Sequence, residues 1–359
     1  MSDVASRAQL PTPLHARTAE LCTTNAWTAQ CGFTVPATYT SPAEEHAALT
    51  SRVALSDLSA RQYWLIDGKD AAAFLGAATL TDANRLEPGQ TARTVWCDDR
   101  GFVRGEGLIA RFAETAFELS TAVRDFAWLA DGAHGFDAKV TNATGTRAMI
   151  GVRGPRADAL LEAAGLSGGP AVTGSVVRPS WRPAQVTLIR DGDGMELWTH
   201  ADDATVVWDR LWRSGAAFGV AAAGADAMET ARIESAVPRA GRDWHPAHLA
   251  LDAADLRLPA DLGFAPDLTR RFNGVDALRR AKAGREMLVQ MIGDGRLAPG
   301  PVLLRNANVG RLTSCAWSHA RAASVALGWI DAEAAQPGAV VQAGGLPAEI
   351  ARVVFAKEA

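Results

Sequence analysis

Two carboxylates occupy places where a strand normally carries none. In "RGEGLIARF" Glu106 lies between Gly105 and Gly107, and in "DGDGMELW" Glu196 lies between Met195 and Leu197 just after a tight turn. Glycines beside an acid let a planar ligand approach the backbone closely, and a carboxylate in a semi-closed pocket can serve as general acid or base. An acid between apolar neighbours can accept two adjacent N–H donors of a flat heterocycle in bidentate fashion. Each has a plainer reading. Glu106 fits a bulged edge strand with a solvated side chain, and Glu196 fits an outward-facing strand position. Trp198 shares a strand face with Glu196 and either flanks a ring system or belongs to the core.

A third cluster is "GRDWHPAHL", with Asp243, Trp244, His245 and His248. The histidine spacing resembles a metal pair, but Pro246 interrupts any helix and no HExxH is present, so no metal is expected. His245 remains a candidate acid–base group. Trp96, on the strand before "CDDRG", joins Tyr39 and Trp244 as candidate lining for a substrate pocket. "GVRGP" lacks both GxGxxG and GxxxxGK[ST], so a nucleotide site is not indicated, and no nucleophile-elbow motif occurs.

The elements that must position these groups follow from composition and pattern. The chain has 359 residues and is 48% hydrophobic, which favours two or three cores over one. A net charge of −4 with no Lys/Arg run argues against nucleic acid or an anionic membrane surface as partner. No apolar run approaches the ~20 residues of a membrane helix. The N-terminus lacks a basic segment followed by an apolar one, and Cys22, Cys31, Cys97 and Cys315 form no CxxC pair, so a cytoplasmic protein with reduced thiols is expected. Eleven Trp stand against two Tyr. Indoles stack on flat aromatic ligands, although several will be core.

Ser41 followed by Glu44 reads as a capping box opening a helix. A strand at Tyr63–Ile66 precedes a DG turn and an Ala-rich helix from about Lys69. A strand ending at Val152 precedes a Gly-Pro turn and a helix from Arg156 to Ala164. These two similar strand–turn–helix units suggest related α+β halves. Strands at 92–97 and 102–112 flank "DDRG", and strands at 185–190 and 195–199 flank the DGDG hairpin turn, followed by a helix over 203–213. "FNGVDALRRAKAG" reads as a helix. From 286 on, short strands with Gly/Pro turns read as a separate C-terminal barrel.

Seven segments in register resemble the glycine cleavage T-protein family, the folate-dependent aminomethyltransferases and their one-carbon-transfer relatives. They are "TPLHART" with "CGFTVPATY", "EEHAALTSRVALSDLS", "MIGVRGPRADALL", "DGDGMELW", "ETARIESAVPRAGRD", "FNGVDALR" and "GRLTSCAWSHARAASVALGWI". The resemblance implies an α+β fold, a three-domain cloverleaf with a C-terminal β-barrel. The expected domains are 1–50 with 141–265, then 51–140, then 266–359. It implies tetrahydrofolate as cofactor, with Glu196 as the pterin anchor and Trp198 and Arg232 beside it. Where the T-protein has two aspartates, this chain has G-E-G, which resembles the pattern of folate-dependent aromatic O-demethylases. In those relatives an arginine near Arg124 meets the substrate carboxylate; Arg124 is equally readable as a surface residue. Met228 stands where the family has a tail-binding arginine. Arg232, with Glu234, is also readable as an ion-pair brace.

Two functions follow. The first is tetrahydrofolate-dependent O-demethylation of a small aromatic compound, with Glu106 assisting proton movement. The second is a folate-independent lyase on the same scaffold that releases formaldehyde from a hydroxymethyl-bearing aromatic substrate. A non-catalytic folate-binding or assembly role ranks last, because the K-G-C-Y-T-G-Q-E motif of that branch is missing. The expected partner is a small aromatic molecule, and the chain is expected to be a monomer or homo-oligomer.

Overall fold

The computed structural model describes residues 9–167, 169–170, 172–192, 194–282 and 284–355. The fold is α+β, and it ends in a closed barrel, as the short C-terminal strands suggested. The chain divides into two compact units that interleave along the sequence. The first takes the chain up to Leu75, Asp82–Arg93 and Gly107–Met228. The second takes Gly76–Thr81, Thr94–Glu106 and the chain from Glu229 on.

The described strands of the first unit fall into a three-stranded sheet, ordered Leu10–Pro11, Phe33–Thr38 and Ala26–Gln30, and two larger sheets. One has six strands in the order Val176–Val177, Val186–Asp191, Gly194–His200, Arg147–Arg153, Val53–Asp57 and Val220–Ala222. Its pairings are antiparallel except the last. Period-two alternation sorts its side chains. Val53, Leu55, Ile150, Val152, Met195 and Leu197 join a core with Leu160 and Leu161 of the helix Ala157–Ala163 and Val207, Trp208 and Leu211 of the helix Ala204–Gly215. The opposite face carries Met149, Ile189 and Trp198 and packs against Tyr63, Leu65, Leu108 and Phe112. Those four belong to the other sheet, ordered Thr91–Cys97, Val103–Ala113, Ala116–Thr121, Gln62–Asp67 and Lys139–Asn142.

The capping box is present at its first half: Ser41 Oγ accepts from the Glu44 amide at 3.2 Å, opening the helix Pro42–Ser51. The DGDG turn lies partly outside the described residues, but Gly192 carries φ +61° and the two strands pair from Val186↔Thr199 to Asp191↔Gly194. One expected helix shrinks. Within "FNGVDALRRAKAG" only Val275–Leu278 is helical. Gly274 stands in the left-handed region at φ +85°, and a Cβ there would meet the Asp98 carbonyl oxygen at 2.5 Å. Beyond Leu278 the run of basic residues and glycine has no apolar face to bury.

In the second unit the barrel runs Glu286–Gly293, Ala323–Asp331, Ala307–Ser318, Gly300–Leu304, Val340–Ala343 and Leu346–Val353, with the last strand paired back onto the first. Val289, Met291, Val302, Ile330 and Ile350 fill it. A second core in this unit joins Val95, Cys97 and Val103 to Ile233, Trp244, Leu288 and Trp329. No helix among the described residues is long and apolar enough to cross a membrane.

Candidate functional site

Glu196 faces inward, not outward: it is 2% exposed. The register aligns Ser56, Gly151 and Glu196 as direct neighbours across three strands, so the three lie on one face. Gly151 keeps that row shallow, since a Cβ there would meet Leu58 Cδ1 at 3.0 Å. Both carboxylate oxygens of Glu196 are already engaged. Arg61 Nη1 lies 2.9 Å from Oε1 and 3.1 Å from Oε2, and the Trp198 indole N–H donates to Oε2 at 3.0 Å. Glu196 and Trp198 are thus joined directly by a hydrogen bond. Arg61, which the sequence reading missed, is the third member.

The polar row continues past Trp198. Its indole meets the Tyr63 ring edge-on at 5.6 Å between centroids. The Tyr63 hydroxyl donates to Glu118 Oε2 and accepts from Arg147 Nε at 3.3 Å. Arg178 Nη2 reaches Glu118 Oε1 at 3.4 Å and its guanidinium stacks 3.7 Å from the Phe112 ring centroid. Burial pushes the Glu118 carboxyl up, against the opposing pull of the Tyr63 hydroxyl and the two arginines. Burial and the Glu118 charge push the Tyr63 phenol up as well. Two acid–arginine groups thus flank a Trp–Tyr contact between the sheets. This arrangement can hold and orient a proton, and it can present cationic groups to a ligand.

Tyr39 is buried, and with Ser56, Asp57, Gly224 and Met228 it lines a cavity of about 50 Å³. That is room for a water molecule and not for an aromatic substrate, which corrects the substrate role expected for Tyr39. Asp57 accepts from Thr12 Oγ1 at 2.6 Å and from the Ser59 amide at 2.9 Å, and burial raises its pKa. Met228 is held by the Ser56 hydroxyl, 3.2 Å from its sulfur. Arg124 is exposed; its nearest structural relation is to Gly32, where an added Cβ would lie 3.5 Å from Arg124 Nη1.

Glu106 is half-buried on the strand Val103–Ala113. The glycines beside it have a different purpose from the one the sequence suggested. A Cβ on Gly105 would lie 2.2 Å from Trp96 Cζ2, and one on Gly107 would lie 2.9 Å from the Ser120 carbonyl oxygen. The flat group that needs Gly105 is the protein's own indole, and Gly107 admits a neighbouring strand. Trp96 is fully buried, so it packs rather than lining an open pocket. Gly105→Ala is accordingly expected to cost about 2–3 kcal/mol as an overpacked core, measured by urea denaturation; an unchanged midpoint would refute the packing account.

Arg232 cannot serve a ligand in this conformation. Nε donates to Glu229 Oε2 at 3.0 Å; Nη1 donates to the Val237 carbonyl oxygen and to Asp243; Nη2 donates to Glu229 Oε1 and Ser314. All five N–H groups are spent. The brace reading was right in kind, but the partners are Glu229 and Asp243 rather than Glu234. Asp243 is 1% exposed and also accepts from Thr313, Ser314 and the Arg239 amide. Trp244 is 1% exposed in the adjoining core, which removes it from any substrate surface. His245 is half-exposed, with Nδ1 3.9 Å from Asp255. Among the described residues no group of three or more His, Cys, Asp or Glu side chains is gathered as metal ligands.

In this conformation the groups that the resemblance assigns to folate are engaged within the chain. The pterin anchor is buried under Arg61 and Trp198. Of the tail contacts, Arg232 has no donor left and Met228 offers a thioether.

Comparison with known proteins is consistent with the fold. An aminomethyltransferase from Desulfitobacterium hafniense is 28% identical over 325 residues, covering 86% of each chain. One from Thermus thermophilus is 29% identical over 338 residues, covering 90% of this chain and 93% of the other. The crystal structure of glycine cleavage system aminomethyltransferase T from Bartonella henselae superposes with a TM-score of 0.84 at 23% identity, over 96% of this chain and 98% of the other. The family model of the GCVT N-terminal domain matches residues 14–257, and that of the glycine cleavage T-protein C-terminal barrel domain matches 286–357. With both models matched in order over most of its length, the chain belongs to the glycine cleavage T-protein family.

Proposed function

We propose that this chain performs one-carbon chemistry without tetrahydrofolate, as a lyase that releases formaldehyde from a hydroxymethyl-bearing aromatic substrate. The observation that carries this reading is the closure of Glu196 by Arg61 Nη1 and the Trp198 indole. With both of its oxygens held by Arg61 and the Trp198 indole, Glu196 serves structure better than proton abstraction. Glu106 takes the base role. It accepts the hydroxyl proton; the O–H electron pair becomes the second C–O bond of formaldehyde. The C–C bond to the aryl-bearing carbon breaks, and its pair is taken up by a proton or by loss of a leaving group from the adjacent carbon. No oxidant or methyl acceptor is needed.

A second reading, tetrahydrofolate-dependent O-demethylation of a small aromatic compound, is favoured by kinship with aminomethyltransferases and by retention of Glu196 itself. Calorimetric titration with tetrahydrofolate, together with formaldehyde assays with and without it, separates the two. The lyase reading expects no binding heat and formaldehyde in both assays, lost in Glu106→Gln. Binding, with product only when folate is present, would overturn it.

A further inference from the structure

Away from these acids, the second unit holds a cleft of about 920 Å³, within the range of small-molecule sites. Its floor is a buried cation. Arg257 is 6% exposed, and its guanidinium lies 4.0 Å from the ring centroid of Trp329, itself 1% exposed. Nη1 donates to the carbonyl oxygens of Ala254 and Leu256 at 2.7 and 3.0 Å, and Nη2 donates to Glu286 at 3.0 Å. Nε is buried with no acceptor among the described residues. A buried guanidinium with one carboxylate contact and an orphaned N–H is short of negative charge. Burial lowers its pKa and Arg311 adds to that effect, outweighing the opposing charges of Glu286, Asp261 and Asp255.

The mouth of the cleft carries a matching feature. Arg280, Lys282 and Arg285 are exposed on one loop and line it, and none forms an ion pair among the described residues. Such a loop gains nothing for folding from three unpaired like charges, whereas it raises the local concentration of anions. The acids of the lining are Asp99, Asp261, Glu286 and Asp331. Glu286 is held by Arg257, and Asp261 accepts from the Leu258 amide at 2.9 Å. Apolar walls come from Phe102, Leu256 and Leu258.

We infer that this cleft is a second ligand site, taking a small molecule with a carboxylate or phosphate group drawn in by the Arg280–Lys282–Arg285 loop and seated at Arg257. It is independent of the one-carbon reading, because none of these residues is given a part in that chemistry. Glu286 acts as the internal stand-in for the anion, and this yields a directional test. In the full-length chain, inorganic phosphate and benzoate are titrated by calorimetry against potassium chloride at matched ionic strength, the two arms separating phosphate from carboxylate chemistry. Charge reversal of all three mouth residues to Glu, at exposed positions, should weaken binding at least about tenfold. Glu286→Gln should tighten it and enlarge the ligand-induced rise in melting temperature. Formaldehyde release should be unchanged in the reversed variant. Equal binding in wild type and the reversed variant would overturn the proposal, as would weaker binding in Glu286→Gln. No binding of either anion beyond the chloride control would overturn it too.

Discussion

Arg61→Met is expected to destabilise the protein by about 3 kcal/mol and, at the same time, to open Glu196 to a ligand. The stability loss follows from leaving a buried carboxylate without its cation; breaking a buried pair by removing one partner costs about 3–5 kcal/mol. Glu196 is 2% exposed, whereas the Arg61 side chain is 28% exposed, so the lower end of that range applies. The Trp198 indole bond remains in the variant and limits the loss further. Urea denaturation measures it. The second half of the prediction is the more discriminating. If Arg61 is what keeps a heterocycle from Glu196, its removal should allow tetrahydrofolate to bind where the wild type binds none. A stable Arg61→Met that still ignores tetrahydrofolate would mean that something other than this ion pair excludes it. Arg61→Met/Glu196→Gln should recover part of the stability, because the stranded charge is gone.

Asp243→Ala should be the more damaging change, costing about 4 kcal/mol. Asp243 joins the segment after the helix Ala225–Glu234 to the barrel through Thr313 and Ser314, and it shares Arg232 with Glu229. Its loss leaves a buried guanidinium half-compensated and the Ser314 hydroxyl without its acceptor, while Thr313 keeps the Leu327 carbonyl oxygen. The same brace sets an acid limit. Burial acts to raise the Glu229 carboxyl, but the Arg232 hydrogen bond and the charges of Arg232, Arg239 and Arg242 outweigh it and hold the group below its usual range. A depressed acid contributes stability that is present above its unfolded pKa and is lost as pH falls through the folded one. Glu118 and Asp57, held above the usual range, have the opposite sign: their folded forms bind protons more readily, so they weaken folding as pH rises. Hydrogen exchange followed from pH 7 downward should therefore show protection failing first around Arg232 and Ser314, and later on the strands bearing Glu118 and Asp57. The reverse order would contradict this account.

That Glu196 and Trp198 share a face was legible, because alternation along Met195–Trp198 puts every second side chain on one side of the strand. Arg61 was not, since it lies 135 residues from Glu196 and nothing local marks the pairing. The Tyr63–Glu118 contact, 55 residues apart, was hidden in the same way. The barrel announced itself through short apolar runs and turns. The helix after Gly274 was overestimated because helix-forming residues continue past the point where there is a core to meet. The G-E-G motif misled in an instructive manner: glycine reports that something lies close, but not whether that neighbour is a ligand or the chain's own Trp96.

The interleaving of the two units has a consequence for synthesis. Residues of the first unit are complete once Met228 has been made, but the barrel of the second closes only when Leu346–Val353 pairs with Glu286–Gly293. At about 5–20 residues per second, that interval lasts on the order of ten seconds. Throughout it Val95, Cys97 and Val103, all fully buried in the finished protein, await partners not yet translated. The nascent chain therefore displays an apolar hairpin tip early and for long, a point where slowed translation would favour aggregation.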